Sequence, residues 1–151
     1  AITWISKTPY MKRRMGNGKS QITWLDSNVR TYLRGTFFNR LPKAVQDAIV
    51  PVKKTYYDCY TNATLTCDDT VWIPSYREVF GGDSYENSGV IYSDRFPNDS
   101  SRSYGVDWWL RTTKSFSFTT TIYYFQYVTD DGSGLSHGVT VYDYMMPCFC
   151  T

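Results

Sequence analysis

The spacing of apolar and polar residues changes along the chain, and each change marks a different expected element. "AITWISKTPY" (1–10) alternates weakly between the two classes and predicts a first strand. "KRRMGNGK" (12–19) then crowds basic residues around Gly16 and Gly18, which predicts a flexible loop. Beyond it the period becomes helical. Asp26 or Ser27 can cap the free N–H groups of a first helix, and Val29, Tyr32, Leu33 and Phe37 fall on one inward face. Gly35 is expected to weaken or end that helix. A second helix follows, with Pro42 in its first turn and a stripe of Leu41, Val45, Ala48 and Ile49. Pro51 closes it, and Lys53 and Lys54 lie just past its C-terminus, where the helix dipole favours cations.

The second half reads as strands. "KKTYYDCYTNATLTCDDTVWIP" (53–74) predicts extended segments around a polar turn at Thr61–Asn62. Ser75 and Glu78 have the spacing of a capping box for a short helix, which Gly81 and Gly82 would stop. Residues 83–105 keep no period, and a loop that long in a compact domain is functional or folded back on itself. "DWWLRT" (107–112) predicts a short strand buried on both faces. "TTTIYYFQYV" (119–128), a turn at "DDGSG" (130–134) and "HGVTVYDYMMPCFCT" (137–151) complete the β part. With no internal repeat and no linker, residues 1–151 form a single α+β domain. Its parts are a strand and basic loop (1–20), a helical part (21–51) and a β part (106–151), with two N-terminal helices packed on a small twisted antiparallel sheet.

Composition narrows the function. The 151 residues are 42% apolar, enough for a real core. Aromatics reach 18% with 14 tyrosines; such residues cover strands, and they also suit binding surfaces. No apolar run nears the ~20 residues needed to cross a bilayer, so membrane insertion is not expected. The chain begins at Ala1 rather than Met, which suggests processing or a fragment of a larger chain. Net charge is only +2, yet residues 1–54 hold eleven Lys/Arg against two Asp, while residues 55–151 hold five against twelve acidic side chains. Two such parts are expected to fold against each other or against a neighbouring copy, rather than to bind nucleic acid.

The chemistry-bearing residues are few. Cys59, Cys67, Cys148 and Cys150 include no Cys-x-x-Cys pair, so no zinc site is expected. Cys59 and Cys67 could cross-link a hairpin in an oxidising compartment, and Cys148 and Cys150 would share one strand face. His137, in "GLSHGV", is the only histidine, and a solvent-exposed or turn residue is expected there rather than a general base. "CDDT" (67–70), "NDSS" (98–101) and "DDGSG" are acidic loops without a complete calcium-ligand spacing. Solvated turns are expected, with no metal, no cofactor and no catalytic residue.

The succession "ITWLDSNVRTYL", "VWIPSYREVFGG", "WWLRT" and a final "PCFCT" resembles an uncharacterised domain family of bacteria and their phages over roughly residues 21–151. That family carries W-x-x-S-x-x-R-x-x-L, L-P-S-x-x-E-V and W-W-L-R-S elements and ends in G-V-R-P-A-F. The resemblance implies a C-type-lectin-like fold, related to the variable proteins of diversity-generating retroelements and distantly to formylglycine-generating enzymes. It makes Trp24, Ser27, Arg30, Ser75, Glu78, Trp108, Trp109 and Arg111 framework positions, along with Leu33, Val79 and Leu110. Arg111, beside a buried tryptophan pair, needs a carboxylate or carbonyl partner, with Glu78 and Asp107 as candidates. Met146 stands where the family has Arg, so a polar contact is lost there.

The resemblance and the tyrosine load together lead us to expect a non-enzymatic module displayed on a phage virion fibre, spike or tail tip. It would bind a host surface glycan or protein, as a homo-oligomer in contact with other virion proteins. Lys114, Phe116, Phe118, Tyr123, Tyr124, Tyr142 and Tyr144 are the candidate ligand-binding residues. Phe116 and Phe118 alternate with small polar residues, a pattern that fits either an outward or an inward face. A structural decoration docking on another virion protein is the alternative. An enzyme of the formylglycine-generating type, using Cys148 and Cys150, is the third reading.

Overall fold

The computed structural model describes residues 1–18, 21–81, 90–114 and 124–151. Strands dominate: among the described residues 35% are strand and 23% helical. The expectation of two N-terminal helices packed on a small antiparallel sheet, with the C-type-lectin-like architecture attached to it, is therefore corrected.

The first helix is present and longer than its glycine suggested. Ser27 caps it by accepting the Arg30 backbone N–H at 3.1 Å. Helix α1 then runs Asn28–Tyr32, passes through a π-turn at Leu33–Phe37 and finishes as Phe38–Arg40. Gly35 loosens the helix into wider turns instead of ending it. Val29, Tyr32 and Leu33 are buried on the inward face, and Phe37 packs at its margin. The second helix, α2 (Lys43–Ala48), is only six residues long and buries none of them. Of its expected stripe only Ile49, beyond its end, is buried, so α2 is a surface turn rather than a layer of the core.

Nine strands among the described residues carry the rest. β1 (Thr3–Ile5) pairs with β9 (Cys148–Cys150), and β3 (Val52–Asp58) with β4 (Ala63–Asp69). A five-stranded sheet takes the order β2–β8–β5–β6–β7, formed by Tyr10–Arg13, Asp143–Met145, Trp108–Lys114, Tyr124–Val128 and Gly134–Gly138. It is mixed, because β5 and β8 run parallel where Trp108 meets Tyr144. The expected basic loop begins as strand β2, so Lys12 and Arg13 are held in a ladder. Within the expected long loop, residues 98–102 fold back as a short helix, α4 (Asp99–Arg102), capped by Asn98. Before it in the chain, the helical turn α3 (Tyr76–Phe80) opens on the Ser75–Glu78 capping box read from the sequence.

β5 is buried on both faces, and its two tryptophans point into two different cores. Trp109 belongs to the larger cluster, with Trp24, Tyr32, Trp72 and Phe125. Trp108 belongs to the smaller one, with Val79, Phe96, Leu110, Val128 and Met146. Met146 is fully buried there, so the residue that departs from the resembled pattern fills apolar space.

The opposed charges of the two halves meet inside the domain. Arg30 Nε donates to Asp69 Oδ1 at 2.7 Å, and Trp24 Nε1 donates to the other Asp69 oxygen at 2.8 Å. Lys54 reaches Glu78 at 2.5 Å, and Arg111 pairs with the same carboxylate. Cys67 lies opposite Lys54 in the β3–β4 register, whereas Cys59 sits past the other end of β3. Five residues of strand, about 16 Å, separate them along the hairpin, beyond disulfide reach, and all four cysteines are free thiols.

The turn after β6 depends on one glycine. Gly132 has φ +90°, and a Cβ there would lie 2.1 Å from the Asp99 carbonyl oxygen. Gly105 also has positive φ, +71°, but faces open space. Gly132→Ala is expected to destabilise the protein by about 2 kcal/mol or more, and Gly105→Ala by only about 1 kcal/mol. Urea denaturation of both variants measures the difference; equal losses would show that the Asp99 contact adds nothing.

Candidate functional site

Two clefts open at the end of the large sheet where β5 begins. One, of about 280 Å³, is lined by Lys12, Asp107, Asp130, Tyr142, Asp143 and Tyr144, with Gly105 and Val106 at its edge. The other, of about 550 Å³, is lined by Asp107, Tyr127, Thr129, Asp130, Asp131, Ser133 and Leu135. Asp107 and Asp130 form a wall common to both.

The carboxylates come from three segments: the approach to β5, the turn after β6 and the start of β8. Asp107 directly precedes β5, and its Oδ1 accepts the Asp130 N–H at 2.9 Å. Asp130 is fixed in turn, because its carbonyl accepts the Ser103 hydroxyl at 2.7 Å and the Gly105 N–H at 3.2 Å. Asp131 points outward, and bonds from Thr129 and Ser133 hold its pKa below the ordinary range. Asp143 opens β8 and is buried. Burial pushes its pKa up, opposed by a contact to His137, whose Nδ1 lies 2.6 Å from Asp143 Oδ2.

For His137 a solvent-exposed or turn position was expected, and the structure places it in strand β7 with its side chain partly exposed. It stacks on Tyr127 with ring centroids 3.6 Å apart and planes inclined by 17°. The Trp109 ring meets it edge-on at 6.1 Å. Two aromatic neighbours and one carboxylate therefore fix the imidazole plane. Burial and the surrounding aspartates raise the Tyr127 hydroxyl pKa, which keeps it a neutral hydrogen-bonding group.

Tyrosine faces flank the first cleft. Tyr142 is 57% exposed, with the Arg14 guanidinium 5.6 Å from its ring centroid. Lys12 Nζ lies 5.4 Å from the centroid of Tyr144. Both contacts are cation–π in kind and bring the basic segment to the acidic opening.

The expected ligand-binding residues separate into three groups. Tyr142 and Tyr144 line the first cleft. Lys114 and Tyr124 are paired across the opposite end of the β5–β6 ladder, about 20 Å along the strand from Trp108. Phe116, Phe118 and Tyr123 lie outside the described residues. The clefts also use Lys12, Asp107, Asp130 and Asp143, with His137 behind them against Asp143 and Tyr127, and residue type and spacing did not mark these as binding residues. Only the acidic "DDGSG" turn hinted at them.

The eight framework residues are all buried. Arg111 pairs with Glu78, the first of its two candidate carboxylates, and also donates to the Thr55 and Ile73 carbonyls, each at 2.8 Å. Asp107, the second candidate, belongs to the clefts instead. Cys148 is fully buried, and burial together with the Glu78 charge pushes its thiol far above the ordinary value. Such a sulfur stays a neutral thiol.

No curated protein and no solved structure matches the chain. The family described as a domain of unknown function (DUF6273) matches residues 3–151, nearly the whole sequence and both clefts within it, and the chain belongs to that family.

Proposed function

We propose that this domain is a non-enzymatic ligand-display module of a phage virion, present as a homo-oligomer on a fibre, spike or tail tip and binding a host surface glycan or protein. The observation that carries the binding reading is the pair of joined clefts, with exposed tyrosine faces beside fixed carboxylates. Tyrosine rings offer broad, stiff contact faces, and hydrogen-bonded aspartates offer oriented acceptors for hydroxyl or ammonium groups. Tyr142 and Tyr144 supply the first, and Asp107, whose Oδ1 accepts the Asp130 N–H, the second. The virion setting and the extracellular location come from the motif resemblance.

The test is a glycan array together with binding to bacterial cells. Wild-type protein is expected to bind in at least one format, and Tyr142→Ala is expected to weaken that binding by roughly 10-fold or more, as for an aromatic contact at a binding centre. Blank results in both formats would remove the receptor reading.

A second reading, docking on another virion protein, rests on an exposed apolar groove of about 330 Å³ lined by Trp4, Ile5, Tyr10, Phe37, Pro147 and Phe149. Trp4 is 50% exposed there. The internal pairing of Arg30 with Asp69 and of Lys54 with Glu78 weakens the charge argument for docking, since those charges are already matched within the chain.

A further inference from the structure

Among the described residues, three potential metal ligands from three separate segments converge at one point. A carboxylate oxygen of Asp107, a ring nitrogen of His137 and a carboxylate oxygen of Asp143 all lie within 4.8 Å of one another. We infer that Asp107, His137 and Asp143 form a site for a divalent first-row transition metal ion, with the remaining coordination positions open to the cleft.

The distances suit such an ion. Metal–ligand bonds of about 2.0–2.2 Å hold neighbouring donor atoms roughly 3–4 Å apart. An ion entering the triangle would take the place of the 2.6 Å His137 Nδ1–Asp143 Oδ2 contact, opening that edge while Asp107, within 4.8 Å of both, draws in. The donor set selects the ion class: one imidazole with two carboxylates fits zinc or manganese, whereas calcium and magnesium prefer oxygen alone and copper(I) prefers sulfur. Two carboxylates with a neutral imidazole also balance the +2 charge of the ion.

The surroundings hold the ligands in place. Tyr127 stacked on His137 and Trp109 edge-on to it fix the ring plane. The Asp130 N–H on Asp107 Oδ1 orients that carboxylate. Outer contacts of this kind orient metal ligands and tune affinity. Asp107 and Asp143 both line the smaller cleft, so an ion there meets solvent and an incoming ligand. Lys12, over Tyr144, is the one cation among the residues that line that cleft.

A structural ion pair accounts for His137 and Asp143 alone. It does not account for the second carboxylate, Asp107, brought beside a pair of which one member is already buried. Like charges so placed repel; Lys12 and the imidazole offset part of that repulsion, and a metal ion among the three ligands would offset it directly. The inference does not depend on the receptor reading: a metal-loaded domain could fail on every glycan, and a metal-free one could bind cells.

Titration of the reduced, metal-stripped full chain with Co²⁺, followed by Zn²⁺ competition, tests the site. The expected result is saturable binding of about one Co²⁺ per chain, with visible ligand-field bands and no thiolate charge-transfer band. Asp107→Asn and His137→Gln are each expected to lower affinity by roughly 100-fold or more, above the effect of losing an outer contact. Asp107→Asn keeps an acceptor for the Asp130 N–H, so an unchanged thermal midpoint of its metal-free form shows that the fold survives. Absence of saturable binding overturns the inference. So does a thiolate band, or binding that Asp107→Asn leaves intact.

Discussion

Replacing Glu78 with alanine is expected to lower the stability of the domain by about 3–5 kcal/mol, the loss seen when one partner of a buried ion pair is removed. Glu78 is buried and serves four donors at once. Its Oε1 accepts the Ser75 N–H at 2.8 Å and pairs with Arg111. Its Oε2 meets Lys54 at 2.5 Å and accepts the Tyr92 hydroxyl at 2.8 Å. Alanine would leave Arg111, itself almost fully buried, without its carboxylate, and would undo half of the capping box that starts α3. Glu78→Gln keeps the shape and one acceptor oxygen but loses the charge, so it is expected to fall between alanine and wild type. Urea unfolding of the three proteins measures the series. Equal stability of Glu78→Ala and wild type would show that the buried charges are solvated by other means.

The same residue predicts a pH dependence. Burial raises the Glu78 pKa, but the adjacent Arg111 and Lys54 charges outweigh it and bring the value down to about 2. A carboxylate whose folded pKa is depressed contributes stability above its unfolded pKa, near 4.5, and that contribution is lost as pH falls toward the folded value. Stability is therefore expected to fall between about pH 4.5 and 2 by on the order of 3 kcal/mol from this group. The Glu78→Gln variant should lack that part of the acid sensitivity.

Local signals in the sequence were the most legible. Ser75 and Glu78 stand three residues apart, and the helix they cap needs nothing distant to define it. The β3–β4 hairpin turned at the polar residues expected of it, and β5 was buried on both faces as its run of tryptophans and leucine implied. The helical layer was misjudged for reasons of tertiary context. Leu41, Val45, Ala48 and Ile49 have helical spacing, but α2 ends after six residues and the chain turns directly into β3. Gly35 suggested a stop, yet the turns before and after it pack well enough to carry α1 through as a π-turn.

The clefts were legible only in fragments. Tyr142 and Tyr144 could be named because aromatics among polar residues are a local pattern. The contact between His137 and Asp143 could not, because five intervening residues leave β7 and return at β8 on the far side of β5 and β6. No helical or strand period links those two positions. Asp107 and Asp130 meet by a similar route, through the turn in which Gly132 lies against Asp99. Such a site is assembled by topology rather than by spacing.

That topology leads to the second large effect. Trp108→Ala and Trp109→Ala are each expected to destabilise the domain by about 3–5 kcal/mol, the usual range for emptying a buried aromatic position. Both indoles are fully buried, and each donates its N–H to a backbone carbonyl, Trp108 to Arg102 at 3.1 Å and Trp109 to Arg13 at 2.7 Å. Because they serve different cores, their consequences should diverge. Trp108 packs on Phe96 and Tyr104, so its loss should loosen the segment around α4. Trp109 touches Phe125 and His137, so its loss should also free the imidazole that meets Asp143. Phenylalanine at each position separates the two effects, since it keeps most of the apolar volume and gives up the indole N–H and part of the edge contact. Trp109→Phe, still folded, should shift the His137 side-chain NMR resonances strongly, while Trp108→Phe should leave them nearly in place. Equal shifts in the two variants would mean that the cores are coupled through β5, and that the imidazole is held by the sheet as a whole rather than by Trp109.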